Sequence, residues 1–233
     1  MVYLQHNEPF VIEQVAFNQF LAKVFLWMFV GLGATALSAF TVASTPALFE
    51  AIVVNKFVFF GLIIGELVMV GFLVVRIQKM SFTTALGIFL LYSVLNGLTL
   101  SVILLVYTAE SIAMVFGGTS LIFGIMALYG YFTKTDLSAF RAFFVIGIIG
   151  IIVMSLINIF VNSSGLYTLI SYAGVGIFAG LTAYDIQKLK GYYYHVAKGN
   201  QSEGNLAIIG ALNLYLDFIN IFLFLLRLLG RSK

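Results

Sequence analysis

Three carboxylates interrupt long apolar stretches of this 233-residue chain: Glu66, Asp185 and Asp217. An ionisable side chain in hydrocarbon is costly unless it is paired, hydrated or neutralised, so such residues mark proton relays, ion paths or buried helix contacts. Asp217 has the most informative surroundings. Asn213, Asp217 and Asn220 stand at i, i+4 and i+7, which places them on one helical face within about 60°. The other faces of 206–229 are Leu, Ile and Phe. A polar stripe of this kind turns toward the protein interior or a water-filled path, not toward lipid. For Asn213 and Asn220 alone, interhelical hydrogen bonding that fixes packing is a sufficient reading. A carboxylate in the same stripe points instead to ion or proton chemistry.

Asp185 lies in Thr182-Ala183-Tyr184-Asp185-Ile186-Gln187-Lys188. Lys188 at i+3 offers an ordinary interfacial partner, worth a few tenths of a kcal/mol. A short connection to the following apolar run, however, makes Asp217 a neighbour on the next helix. Two adjacent buried carboxyls cannot both ionise cheaply and are expected to share a proton. Loss of that proton adds repulsion between two helices, which is a switch. Glu66 has no Lys or Arg within one turn, so it must be protonated, hydrated or paired with another span. With Asn213 and Asn220 it is a candidate to line an ion path. Arg76, ten residues on, is either a cationic partner for the Asp pair or an ordinary interfacial arginine.

The elements that must position these groups are membrane spans. Hydrophobic residues make up 62% of the chain and charged residues 9%, where a soluble domain carries roughly a quarter charged. A helix crosses a bilayer in about 20 apolar residues, and apolar runs fall near 20–44, 57–75, 82–107, 111–132, 142–161, 166–187 and 205–229. The expected fold is an all-α bundle of seven transmembrane helices. Residues 1–19, with Glu8 and Glu13 and no positively charged start, are expected to form a cytoplasmic tail ahead of a single membrane domain over 20–233. Thr45-Pro46 ends the first run, Thr135 or Asp136 is placed to cap the fifth helix, and Asn162-Ser163-Ser164-Gly165 is a tight turn. The longest break is 188–204. Gly174, Gly176 and Gly180, and likewise Gly147 and Gly150, suit close helix packing.

Loop charge gives the orientation. Arg76, Lys79, Lys134, Arg141, Lys188, Lys190 and Lys198 all fall in the second, fourth and sixth connections, which places those loops and the N-terminus in the cytoplasm. Arg227, Arg231 and Lys233 disagree: the seventh run either crosses fully against the charge rule or is re-entrant. Depth is a second open point. Asp217 lies about 12 residues into its run, roughly 18 Å along the axis, whereas Asp185 is near the end of its run. Pairing requires the sixth helix to extend past Lys188 or the seventh to begin late.

Several chemistries are excluded. No Cys is present, so there are no thiolate sites or disulfides. The net charge of +3 sits at the ends of apolar runs and does not indicate nucleic acid. His6 and His195 lie outside the runs, and no Lys lies inside the last one for a Schiff base. Tyr184-Asp185 followed by Asp217 resembles intramembrane aspartyl proteases, but Leu214-Tyr215-Leu216 stands where those proteins have Gly-x-Gly, and no proline follows Pro46. No enzyme and no resident cofactor are expected.

The seven runs, Leu95-Asn96-Gly97-Leu98-Thr99-Leu100, Thr133-Lys134-Thr135-Asp136-Leu137-Ser138, Ala183-Tyr184-Asp185 and Leu214-Tyr215-Leu216-Asp217-Phe218-Ile219-Asn220 together resemble the Bax inhibitor-1 (transmembrane Bax inhibitor motif) family, in its bacterial branch. The resemblance covers nearly the whole chain. It implies a seven-helix fold with the last helix central, surrounded by the other six, in a bacterial inner membrane. It further implies a pH-dependent Ca²⁺ leak governed by an Asp pair, here Asp185 and Asp217, with Arg76 as the associated arginine. Some bacterial members instead modulate a membrane-bound AAA protease, so the resemblance leaves a non-transporting regulator as the alternative.

Overall fold

The computed structural model describes residues 8–196 and 203–233. Seven helices in it are long and apolar enough to cross a membrane: α1 (Glu8–Ser44), α2 (Lys56–Arg76), α3 (Phe82–Val106), α4 (Ala109–Phe132), α5 (Arg141–Val161), α6 (Ser164–Val196) and α7 (Glu203–Leu229). This is an all-α integral membrane protein. Polar residues set the helix boundaries. Asn55, Ser81 and Thr108 accept backbone N–H groups at the starts of α2, α3 and α4, filling donors that a helix leaves unpaired at its first turn. Asp136 caps a short turn of helix over Leu137–Phe140 that leads into α5, rather than capping α5 itself. Asn162 closes α5 in the left-handed conformation at φ 51°, and Asn158 accepts the Ser163 N–H beside it.

Two boundaries differ from expectation. α1 begins at Glu8, so residues 8–19 are helical and continuous with the first span; residues 1–7 lie outside the described residues. α6 continues to Val196, through most of what reads as a polar break. Lys188, Lys190 and Gly191 make that stretch look like a loop, but Leu189 is buried and Tyr193 stacks on Phe20 at 4.9 Å. Phe17 of α1 also meets Tyr131, Tyr193 and Tyr194, so an aromatic cluster pins the end of α6 against α1 and α4. Lys198 of the same connection lies outside the described residues.

The seventh helix is long and apolar enough to cross fully. At its start Asn205 Nδ2 donates to the carbonyls of Ile77 and Met80, and Glu203 pairs with Lys23 at 2.9 Å. At its end the chain lies along the α3–α4 connection, with Thr108 N donating to Arg231 O and Lys233 N to Val106 O. α7 therefore runs from the face of the α2–α3 connection to the opposite face, and Arg227, Arg231 and Lys233 sit there against the charge rule. Local contacts hold them. Lys233 Nζ donates to Leu104 O in the last turn of α3, where the helix dipole favours a cation. The Arg227 guanidinium stands 5.8 Å and 5.2 Å from the rings of Tyr167 and Phe224.

α7 is also the most enclosed helix. Fifteen of its 27 residues are buried, against one of 21 in α5 and two of 21 in α2. Its main neighbours are α6, α1, α4 and α3. Two crossings near it bring backbones together. A methyl group on Gly97 would run into the Thr35 carbonyl of α1, and one on Gly130 into the Ala183 backbone of α6. Of the glycines singled out from sequence, Gly147, Gly174 and Gly180 meet Ile177, Phe224 and Phe144, while Gly150 and Gly176 face open space.

Candidate functional site

The extension of α6 brings the two aspartates to matching depth. Asp185 is about 17 Å from the end of α6 and Asp217 about 21 Å from the start of α7 at 1.5 Å per residue. Both ends lie on the same face, and the two helices pack against each other. Asp185 is 8% exposed and Asp217 5%, so both are largely withdrawn from water. Each carboxyl lies within range of the Lys188 charge, and Asp217 also within range of Asp185. Lys188 Nζ stands 4.0 Å from Asp185 Oδ1, a loose ion pair with no hydrogen bond. Asp217 Oδ2 has no hydrogen-bond partner among the described residues. Thr182, one turn from Asp185, donates to the Phe178 carbonyl of its own helix. The result is a buried acidic pair with one cation at its edge, able to hold a proton or to receive a cation. Two carboxylates supply four oxygens where Ca²⁺ takes six to eight, so a cation there would keep part of its water shell.

Arg76 is exposed at the end of α2 and forms no salt bridge among the described residues. α2 packs on α3, and the turn after Arg76 meets the start of α7, where Asn205 Nδ2 donates to the Ile77 carbonyl. Lys188, carried on α6 itself, is the cation paired with Asp185. The stripe on α7 is also less uniform than its spacing implies. Asn213 and Asn220 are half-buried, and Asn220 Nδ2 donates to Leu216 O on its own helix rather than to a neighbour.

Glu66 belongs to a separate cluster. It accepts from Asn96 Nδ2 and Thr99 Oγ1 of α3, each at 3.0 Å. Tyr215 of α7 donates to Asn96 Oδ1 at 3.0 Å, and its hydroxyl lies 2.7 Å from Thr35 Oγ1 of α1. Thr35 Oγ1 also donates to the carbonyls of Ser93 at 2.8 Å and Gly31 at 3.0 Å. The cluster thus ties α1, α7 and α3 to the carboxylate on α2. Phe89 and Tyr92 pack edge-on against the Tyr215 ring. Asn96, Thr99, Tyr215 and Thr35 carry no assigned role in the sequence reading. Asn96 and Thr99 fall at i and i+3 inside an apolar run, and that spacing was the available signal.

The chain matches the family described as "Inhibitor of apoptosis-promoting Bax1" over residues 17–233. It is 43% identical to the inner membrane protein YbhL of Escherichia coli (strain K12) over 228 residues, covering 97% of each chain. A protein of Borreliella burgdorferi is 42% identical over 216 residues, 93% of each chain, and protein RP147 of Rickettsia prowazekii is 38% identical over 220 residues, 93% of this chain and 91% of that one.

The chain belongs to the Bax inhibitor-1 family. The family match spans both polar clusters, from the aromatic anchor at Phe17 to the tail strapped along the α3–α4 connection. Within this Bax inhibitor-1 member, the helix that carries Asp217 toward α6 also carries Tyr215 toward α1 and α3.

Proposed function

We propose that this Bax inhibitor-1 family member is a pH-sensitive leak path for Ca²⁺ in a bacterial inner membrane, gated by protonation of Asp185 and Asp217. The observation that carries the reading is the pair itself: two enclosed carboxyls on adjoining helices, with Lys188 at the edge and Asp217 Oδ2 unpartnered. A proton shared by the pair relieves their repulsion. Its departure leaves two carboxylates that repel across the α6–α7 seam and attract a hard cation. Glu66, held on α2 within its own cluster, is a further carboxylate candidate for the path, and Asn213 and Asn220 are polar positions on the Asp217 face of α7. The basic connections and the start of α1 face the cytoplasm on the charge rule. The inner-membrane location follows the E. coli relative's description.

The test is Ca²⁺ flux into liposomes carrying the purified protein and an internal dye, measured across a pH series. Wild-type protein passes Ca²⁺ with a pH-dependent rate, and Asp217→Asn flattens that dependence. A variant that keeps the wild-type pH profile overturns the gate. Absence of flux from folded wild-type protein leaves the alternative, a non-transporting regulator of a membrane protease.

A further inference from the structure

On the face of the basic connections, the chain segment between α4 and α5 forms a wall beside the last turns of α6. Gln187 fixes that wall: its Oε1 accepts the Leu137 N–H and its Nε2 donates to Thr135 O, both at 2.8 Å. Between wall and helix lies an open cavity of about 500 Å³ lined by Asp136, Ser138, Tyr184, Lys188 and Tyr192 among others. That volume falls within the roughly 300–1,000 Å³ of small-molecule sites. Lys188 Nζ stands 5.6 Å from the ring centres of both Tyr184 and Tyr192. None of its three N–H donors reaches a hydrogen-bond acceptor among the described residues, since the Asp185 oxygen is 4.0 Å away. On the other side, Asp136 is exposed and accepts the Ser138 N–H at 2.9 Å. Hydrogen bonds from the Ser138 side chain and backbone hold its carboxyl below the usual carboxylate range, so it is ionised at neutral pH.

Depth identifies the class of ligand. About 20 helical residues cross the hydrocarbon core, and counting from the start of α6 at Ser164 brings Tyr184 to its far boundary. Lys188 and Tyr192 then lie roughly 6 Å and 12 Å beyond it, the zone that phospholipid headgroups occupy. One cation and one carboxylate face a single cavity there. A purely anionic headgroup would meet Asp136, and a quaternary ammonium would offer that carboxylate no N–H. We propose that this cavity is a binding site for a zwitterionic phospholipid headgroup bearing a primary ammonium, of the phosphatidylethanolamine type. Lys188 binds the phosphate, Asp136 accepts from the ammonium, and Tyr184 and Tyr192 frame the lysine. Lys188 is thereby shared between the lipid and Asp185, but the site itself is independent of the proposed leak.

Native mass spectrometry of the purified full chain tests this, with phosphatidylethanolamine, phosphatidylcholine and phosphatidylglycerol of matched acyl chains added at equal concentration. The ethanolamine lipid is expected to exceed each of the others in bound protein by about threefold to fivefold, the scale of one exposed ion pair. Asp136→Asn, an exposed substitution, brings the preference over phosphatidylglycerol close to one, and Lys188→Gln lowers retention of both phospholipids. Equal retention of the three lipids by wild-type protein, or an unchanged preference in Asp136→Asn, overturns the site. Displacement of the lipid by soluble glycerophosphoethanolamine at equal concentration overturns its assignment to a membrane lipid. Because the readout is mass, loss of Ca²⁺ flux and loss of lipid binding are separable results.

Discussion

Substituting Gly130 by alanine tests how closely α4 and α6 must approach beside the acidic pair. The added Cβ would stand 2.8 Å from the Ala183 carbonyl carbon and Cα, and nearer still to the Ala183 carbonyl oxygen. Nonbonded carbons rest at about 3.5–4.0 Å, so the two helices must part by roughly 1 Å. No flexible side chain is available to yield, because the contact is with backbone. Over-packing of this kind costs about 1–3 kcal/mol. Gly176→Ala is the matched control: it lies on α6 with nothing within 4 Å, and alanine stabilises a helix over glycine by about 0.5–1 kcal/mol. The propensity gain is common to both helical sites, so unfolding in mixed detergent micelles, followed by circular dichroism, should separate the two variants by about 1–3 kcal/mol, with Gly130→Ala the weaker. Ala183 is two residues from Asp185, so the same variant should shift the pH profile of flux while Gly176→Ala leaves it in place. Equal stability of the two variants would refute the claim that Gly130 is required by a backbone crossing.

Removing the Tyr215 hydroxyl in Tyr215→Phe leaves Asn96 Oδ1 and Thr35 without their shared partner; interhelical hydrogen bonds in membranes are worth about 1 kcal/mol, and the unfolding midpoint should fall accordingly. Glu66→Gln keeps an acceptor for the Asn96 amide, so it should be more stable than Glu66→Leu, which strands that amide and leaves Thr99 only its bond to the Asn96 carbonyl; the reverse order would contradict the cluster. In the liposome assay Arg76→Gln should retain the wild-type pH profile and Lys188→Gln should change it, since Lys188 adjoins the pair and Arg76 forms no salt bridge among the described residues. The chain has no cysteine, which makes labelling of introduced ones unambiguous. Lys79→Cys and Lys134→Cys should react with an impermeant thiol reagent from one side of the membrane, and Glu110→Cys and Lys233→Cys from the other.

The spans are legible in the sequence because an uninterrupted apolar run of crossing length has few alternatives in water. The errors fall where tertiary contacts override local composition. Lys188, Lys190 and Gly191 signal a loop, yet Leu189 and the tyrosines beyond it find partners on α1 and α7, and the helix continues. Asp217 is legible from its own surroundings, and Lys188 from its i+3 spacing to Asp185. The surroundings of Arg76 are not: a position on a helix says nothing about which neighbour that helix will choose. The partners of Glu66 are illegible for the same reason. Asn96, Thr99, Tyr215 and Thr35 come from three other helices, and each alone reads as an ordinary packing residue.

Their convergence constrains how α7 can move. Tyr215 and Asp217 are two residues apart, about 200° around the helix, so they face opposite sides of the same buried rod. With side chains the helix is about 5–6 Å in radius, and a turn of roughly 20° would carry a group at that radius through about 2 Å. That is enough to break the 3.0 Å bond from Tyr215 to Asn96 and the chain leading to Glu66. Rotation of α7 to relieve repulsion at Asp217 therefore costs the hydrogen bonds on its other face. Displacement of α6 against a fixed α7 costs none of them, because no residue of α6 joins the Glu66 cluster. α6 has an open cavity at its end, and the bonds that its movement strains are those of Gln187 to the α4–α5 segment. On these energetics the proposed gate opens by movement of α6, while the Glu66 cluster holds α7 in register with α1 and α3.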